Sequence, residues 1–164
     1  MAIPRPLLCL TMTGYRRREI GEADLCRHQM NNHAYLLSDL MIKYGIESYS
    51  IVHNTNKTNA FLSKLFDPGR IEFDDHDFVV QIILPDIDSY LRLKEDPLYI
   101  ERYGDFIKFT DPTDEKRRTR ASLGFVHEVI HDSKVTYVED KDAIACKVLG
   151  GLLDADTGRF KTEV

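Results

Sequence analysis

Asp77-Phe78-Val79-Val80-Gln81-Ile82-Ile83-Leu84-Pro85-Asp86 is the stretch that decides the fold. Residues 77–84 read as a strand, because side chains alternate across a sheet and Phe78, Val80, Ile82 and Leu84 fall on one side. Pro85-Asp86 ends the strand and starts a helix whose face carries Ile87, Tyr90, Leu91 and Lys94. Asp96-Pro97 restarts that helix, since proline is tolerated in a first turn, and it continues through Tyr103. A further strand follows at Leu123–His131, with Leu123, Phe125, His127, Val129 and His131 on one face. This half of the chain is therefore strand, helix, strand.

The preceding half repeats the order. Leu7–Thr13 is an apolar strand between Pro6 and Gly14. A polar connection leads to Gly21-Glu22-Ala23-Asp24, where acidic residues open a helix at the end its dipole favours. The helix runs to about Tyr44 and is capped by Gly45. Met30, His33, Leu37, Leu40, Met41 and Tyr44 form its apolar stripe, which puts His33 on the buried side. Ile46–Asn54 is the next strand, with Tyr49, Ile51 and His53 sharing a face. Thr58–Phe66 is a short helix, stopped by Asp67-Pro68-Gly69.

The order β-α-β, short helix, β-α-β is that of ferredoxin-like α+β domains. It implies a four-stranded antiparallel sheet with helices on one face. The other face is expected to be apolar and to need a cover, which a two-fold dimer with sheet facing sheet would supply. Residues 1–132 make this domain; 133–164 read as a C-terminal extension, with a possible strand at Lys134–Glu139 and an apolar stretch at Ala143–Leu153.

A chain of 164 residues can bury a full core without disulfides. Its net charge of -5 offers no basic face for nucleic acid. The run Lys116, Arg117, Arg118, Arg120 reads as a solvated loop. Cys9, Cys26 and Cys146 are too few and too scattered for a disulfide framework or a metal site, and free thiols suit the cytosol. Cys9 reads as a small buried hydrophobe. No apolar run is long enough to span a membrane. His76 belongs to an acidic, solvated loop. His127 and His131 could chelate a metal, but no third ligand is near in sequence, so no metal or other cofactor is expected.

The first helix carries Cys26-Arg27-His28-Gln29-Met30-Asn31-Asn32-His33-Ala34, which resembles the His-(four residues)-His-Ala motif of EthD-domain proteins. Leu40–Ile46, Ile51–Asn54, Leu65–Pro68, Tyr90–Pro97, Lys108–Asp111 and Ser122–Phe125 extend the likeness in order. More specifically, the chain resembles fungal polyketide decarboxylases and related tailoring enzymes of that group. The resemblance implies a homodimeric α+β barrel acting without a cofactor on a small aromatic polyketide. It also implies loss of carboxylate, loss of water, or oxygen addition as the reaction.

Position alone makes His33 a core histidine; the motif makes it an acid/base group. His53 matches a family motif and is its companion, and His28 either orients the region or caps the helix surface. Tyr49, Phe78, Phe109 and Phe125 are core aromatics that together would suit a flat polycyclic substrate. Asp96 reads as a helix cap or a carboxylate of the site, and Lys108 and Arg120 as surface cations or carboxylate holders. His127 stays a further candidate for substrate contact.

Decarboxylation needs a donor at the oxygen that collects charge and an acid that returns a proton to carbon. Histidine suits either task because it titrates near neutrality. Dehydration needs a base and an acid of the same kind. A decarboxylase of an aromatic polyketide acid leads; a dehydratase or cyclase, a cofactor-free oxygenase of the anthrone-oxidising kind, and a non-catalytic dimeric binding domain remain open.

Overall fold

The computed structural model describes residues 7–67, 69–110 and 114–135. Strands β1 (Leu7–Gly14), β2 (Ser48–His53), β3 (Phe78–Leu84) and β4 (Arg120–Val126) form one antiparallel sheet in the order β2-β3-β1-β4. This is the ferredoxin-like arrangement expected from the element order. The register stacks apolar residues on one face: Leu8, Leu10 and Met12 stand opposite Leu84, Ile82 and Val80. Tyr49 and Ile51 extend the same rows from β2. Leu8, Phe78, Ile82 and Leu84 are almost fully buried there. Each such side chain contributes about 1.5–3 kcal/mol by leaving water. Gly14 pairs with Phe78, and a Cβ on it would lie 2.5 Å from that ring. Only glycine lets the phenyl ring close over β1.

The sheet's open face is not the apolar surface expected. Thr11, Gln81, Ser50 and Ser122 run across its middle, flanked by Val52, Val79 and Ile83. Cys9 lies on this face, half-buried, with its thiol 3.5 Å from the Thr11 hydroxyl.

The first helix is interrupted. It begins as α1 (Glu22–His28), passes through a π-helical turn at Gln29–His33, and continues as α2 (Ala34–Lys43). A π turn holds one residue more than an α turn, so the inner stripe shifts by one position. Gln29 is therefore 2% exposed and Met30 50% exposed, reversing the expected placement of Met30. Beyond the turn, Leu37, Leu40 and Met41 are buried as the α-helical spacing requires. Gly45 ends the helix at φ 76°, the left-handed conformation a C-terminal glycine supplies.

The single short helix expected at 58–66 is two separate turns, α3 (Asn56–Asn59) and α4 (Leu62–Leu65). Thr55 and Thr58 exchange capping hydrogen bonds and fix the start at Asn56, ahead of Thr58. Helices α5 (Ile87–Glu95) and α6 (Pro97–Tyr103) are capped by Asp86 and Asp96, whose carboxylates accept from Ser89 N and Leu98 N. The inner side of α5 is Ser89, Tyr90 and Leu93; Leu91 is half exposed, against the face read from the sequence.

The last strand is shorter than Leu123–His131. β4 stops at Val126, and Ile130–His131 (β5) pairs instead with Lys134–Val135 (β6). Asp132 and Ser133 at φ 46° and 60° make the tight hairpin turn, which needs two left-handed residues. His127 is thus exposed beyond β4, and His131 belongs to a different sheet. The rest of the expected strand at 134–139, the apolar stretch at 143–153 and Cys146 lie outside the described residues.

Two charged readings also change. Arg117 is not a solvated loop residue: its guanidinium lies 4.8 Å from the Tyr15 ring centroid and 3.1 Å from Asp77 Oδ2. Arg16 grips the same carboxylate through its guanidinium and its backbone N–H. His76 is buried; its Nδ1 pairs with Asp74, and its ring sits 4.5 Å from that of Tyr15.

Candidate active site

A narrow cavity, open at one side, lies between the helices and the apolar face of the sheet. Its floor is Met12, Ile51, Phe78, Val80 and Ile82 from the strands. The π-helical turn contributes Gln29 and His33, and α2 adds Leu37 and Met41. The remaining wall is aromatic except for Thr119: Tyr49 from β2, Tyr90 from α5, Tyr99 and Tyr103 from α6, and Phe106 just beyond. Among the described lining residues there is no lysine, arginine or carboxylate.

The rings form a connected set. Tyr99 stacks on Tyr103 at 5.5 Å, Tyr103 on Phe106 at 5.6 Å, and Phe106 meets Phe78 edge-on at 5.9 Å. Offset and edge-on pairs of this kind are the favoured geometries of aromatic contact. Burial pushes Tyr49 up to about 12, with Tyr90 adding to it, and raises Tyr99 and Tyr103 as well. These hydroxyls stay protonated across the physiological range and are hydrogen-bond donors.

His33 is 6% exposed and lies 5.6 Å from Phe106, ring to ring. Its Nδ1 is buried without a hydrogen-bond partner. Burial lowers its pKa, His28 lowers it further, and Asp105 opposes both. The imidazole is held neutral and faces an uncharged cavity.

His28 does not line the cavity. It stacks on Phe109 with centroids 3.5 Å apart, and its Nε2 lies 2.8 Å from Asp105 Oδ2, off the line of a hydrogen bond. Asn32 Nδ2 faces its Nδ1 at 3.5 Å. Burial lowers the His28 pKa, against the pull of Asp105. Lys108 reaches the other oxygen of Asp105 at 2.8 Å, so it neutralises that carboxylate and has no contact with the cavity. Burial raises the Asp105 pKa, but the Lys108 hydrogen bond and the pull of the neighbouring histidines and Lys108 outweigh it and the carboxyl is held low.

His53 is half-buried, and its Nε2 lies 2.8 Å from Gln29 Oε1. It touches the lining of the cavity without being part of it. Phe125 packs at the edge of the core. Asp96 is structural here: besides capping α6 it accepts hydrogen bonds from Lys43 and Tyr44, each at 2.8 Å. The Lys43 and Tyr44 bonds hold its carboxyl down at about 2. Of the residues expected at the site, the structure brings His33, Tyr49 and Phe78 to the cavity. His28, Phe109 and Lys108 stand together behind it, whereas His127 and Asp96 are elsewhere.

Gln29, Tyr90, Tyr99, Tyr103 and Phe106 were not among the expected site residues. Phe106 and Phe109 share a one-turn 3₁₀ helix, Phe106–Lys108, and its cap; side chains three apart eclipse in that geometry. One ring therefore meets His33 and the other His28. Asp74, Asp75 and His76 bring potential metal-ligand atoms within 4.8 Å of one another, but both carboxylates are exposed and none of the three lines the cavity.

Fold and site together define a ferredoxin-like α+β protein with a neutral histidine in an aromatic chamber. The chain belongs to the EthD-domain family, whose model matches residues 17–113. Among its relatives, decarboxylase AgnL1 of Paecilomyces divaricatus is 40% identical over 129 residues, spanning 78% of this chain and 84% of that one. Dehydratase aurZ of Gibberella zeae is 37% identical over 133 residues, 80% of this chain and 85% of that one. The conidial pigment biosynthesis dehydratase EthD of Metarhizium robertsii is 35% identical over 80% of this chain and 91% of its own length. These relatives are lyases, and they include both decarboxylases and dehydratases.

Proposed function

We propose that this protein is a cofactor-independent decarboxylase of an aromatic polyketide carboxylic acid in fungal secondary metabolism. One observation carries the reading: a neutral, buried His33, with an unpartnered Nδ1, lies in an aromatic cavity with no cation among its described lining residues. A carboxyl group entering this space loses its water and gains no ion pair, which favours the uncharged product. His33 takes the carboxyl proton. The carbon–carbon bond to the carboxylate then breaks, carbon dioxide leaves, and the electron pair passes onto the oxygen of a conjugated carbonyl group. The His33 imidazolium returns the proton to carbon, so the histidine ends as it began.

Dehydration uses the same base, and the relatives favour keeping it as the second reading. Carbon dioxide release and mass spectrometry of a polyketide extract incubated with the protein separate the two. A product lighter by carbon dioxide supports decarboxylation, one lighter by water supports dehydration, and oxygen uptake without either overturns both. His33→Ala should slow the conversion by about 10²-fold or more in either case.

The reading includes a homodimer formed through the open face of the sheet, which no described element covers. Sedimentation at micromolar concentration tests it: a dimer is expected, and a monomer overturns it. Among the described residues no helix is long and apolar enough to cross a membrane.

A further inference from the structure

Gln29 takes no part in the proton cycle above, yet it is placed as closely as any residue in the cavity. It lies in the π-helical turn, is 2% exposed, and lines the chamber with His33. Its Oε1 and His53 Nε2 are 2.8 Å apart. An amide oxygen only accepts, so His53 Nε2 is the donor and must carry the proton. That bond occupies the oxygen end of the amide. Among the described residues the amide nitrogen has no hydrogen-bond partner, and it is the end left to face a ligand.

We propose that Gln29 is a catalytic hydrogen-bond donor to the oxygen on which charge develops in the reaction, with His53 as the positioning residue that fixes its amide. This deepens the lyase reading and rests on it. Loss of carbon dioxide leaves an electron pair that moves from the broken bond into a conjugated carbonyl group, whose oxygen takes the charge. The pair returns to carbon when the proton arrives. Between those events the oxygen is an enolate or phenolate, and a preorganised neutral donor in a dry cavity stabilises it more than it stabilises the substrate. His33 is four positions further along the same turn, so one wall carries both the proton and the oxyanion donor. The turn itself gains a purpose: unbroken α-helical spacing would direct Met30, which has no donor, to the inner stripe.

The assignment gives His53 a different task from that of a second acid or base. Removing it leaves the proton cycle intact but frees the amide of Gln29 to rotate. Its effect must therefore vanish once Gln29 is gone, because two residues acting through one contact are not additive.

The test uses 4-nitro-1-naphthol, whose phenolate is coloured, and its uncharged relative 1-nitronaphthalene. Wild type, Gln29→Leu, Gln29→Glu, His53→Leu and the double variant Gln29→Leu/His53→Leu are titrated with both, after melting curves establish that each is folded. Gln29→Glu keeps the shape of the side chain and serves if the leucine variant does not fold. Wild type is expected to favour the bound phenolate over the phenol, and Gln29→Leu and His53→Leu to reduce that preference about tenfold or more. The double variant should match Gln29→Leu, and all should bind 1-nitronaphthalene equally. In turnover, Gln29→Leu should lower kcat on the order of 100-fold with little change in KM. An unchanged phenolate preference in Gln29→Leu and Gln29→Glu overturns the proposal, as does full additivity of the two substitutions. His33→Ala separates this inference from the reading beneath it: turnover should fall by about 10²-fold or more while the phenolate preference remains. If instead His33→Ala turns over normally and Gln29→Leu loses the preference, the His33 proton cycle falls and the Gln29 donor stands.

Discussion

His28 and His33 share one helix and meet rings from one short turn, yet their surroundings are opposite. His28 lies flat on Phe109, against the Asp105 carboxylate and near Lys108. His33 is tilted against Phe106 in a chamber whose described lining carries no formal charge. The difference shows how this fold keeps charge next to a reactive group without admitting it to the cavity. The belt of His28, Asp105 and Lys108 behind the wall shifts His33 at a distance, while no charged side chain is among the described residues that line the chamber. The largest expected effect breaks this contrast directly. His33→Ala should lower kcat/KM by about 10²–10⁴-fold, the range for loss of general acid–base catalysis. His28→Ala should leave activity at neutral pH within about tenfold, since it removes only an influence on His33. Steady-state kinetics on the identified substrate checks both, and equal losses would mean that the two histidines act as one unit.

Asp105 sharpens the comparison by a pH shift. Its negative charge opposes the lowering of His28 and His33, so Asp105→Asn should push both imidazoles further down. The proton cycle begins with neutral His33, and the acidic limb of kcat/KM reports its ionisation in the free enzyme. Asp105→Asn should move that limb to lower pH. His28→Ala removes a group that lowers His33 and should move it to higher pH. Opposite displacements identify the belt as the source of tuning; displacement in the same direction would refute it.

How much of this was legible in the sequence follows from periodicity. Strand alternation in Phe78–Leu84 and Leu7–Thr13 is imposed by burial of one face, so order and sheet are readable from the residues alone. Helix register is more fragile. One extra residue at Gln29–His33 exchanges Gln29 for Met30 without leaving a compositional trace, since glutamine is an ordinary helix residue and methionine the more natural core one. The tyrosine wall was obscured for a related reason. Tyr99 and Tyr103 sit on a helix whose direction depends on how Asp96 caps it and on the Lys43 and Tyr44 contacts that hold Asp96. Those are contacts between residues far apart in the chain. His33 was legible because the motif named it, while position alone left it a core histidine. Phe109 pointed to the right segment, and only the 3₁₀ geometry of Phe106–Lys108 showed which ring meets which histidine.

The smallest expected effect compares the two histidines through stability. Burial lowers the folded-state pKa of His33 below its ordinary value of 6.5, so between those two pH values the unfolded chain binds the extra proton and the folded chain does not. Stability from this site is therefore complete above about pH 6.5 and is lost as pH falls toward the folded-state value. His28 and His53 are also lowered and contribute with the same sign. His28 differs in having Asp105 in direct contact, a partner that favours its charged form. Phenylalanine in place of either histidine removes its titration while keeping a ring in the space. Thermal melts from pH 7 to pH 5 should show the wild-type midpoint falling and the His33→Phe midpoint falling less. His28→Phe should recover less of the slope than His33→Phe, because Asp105 already offsets part of the cost of protonating His28. A His33→Phe slope equal to wild type would place the titrating burden elsewhere and weaken the view that burial sets the state of His33.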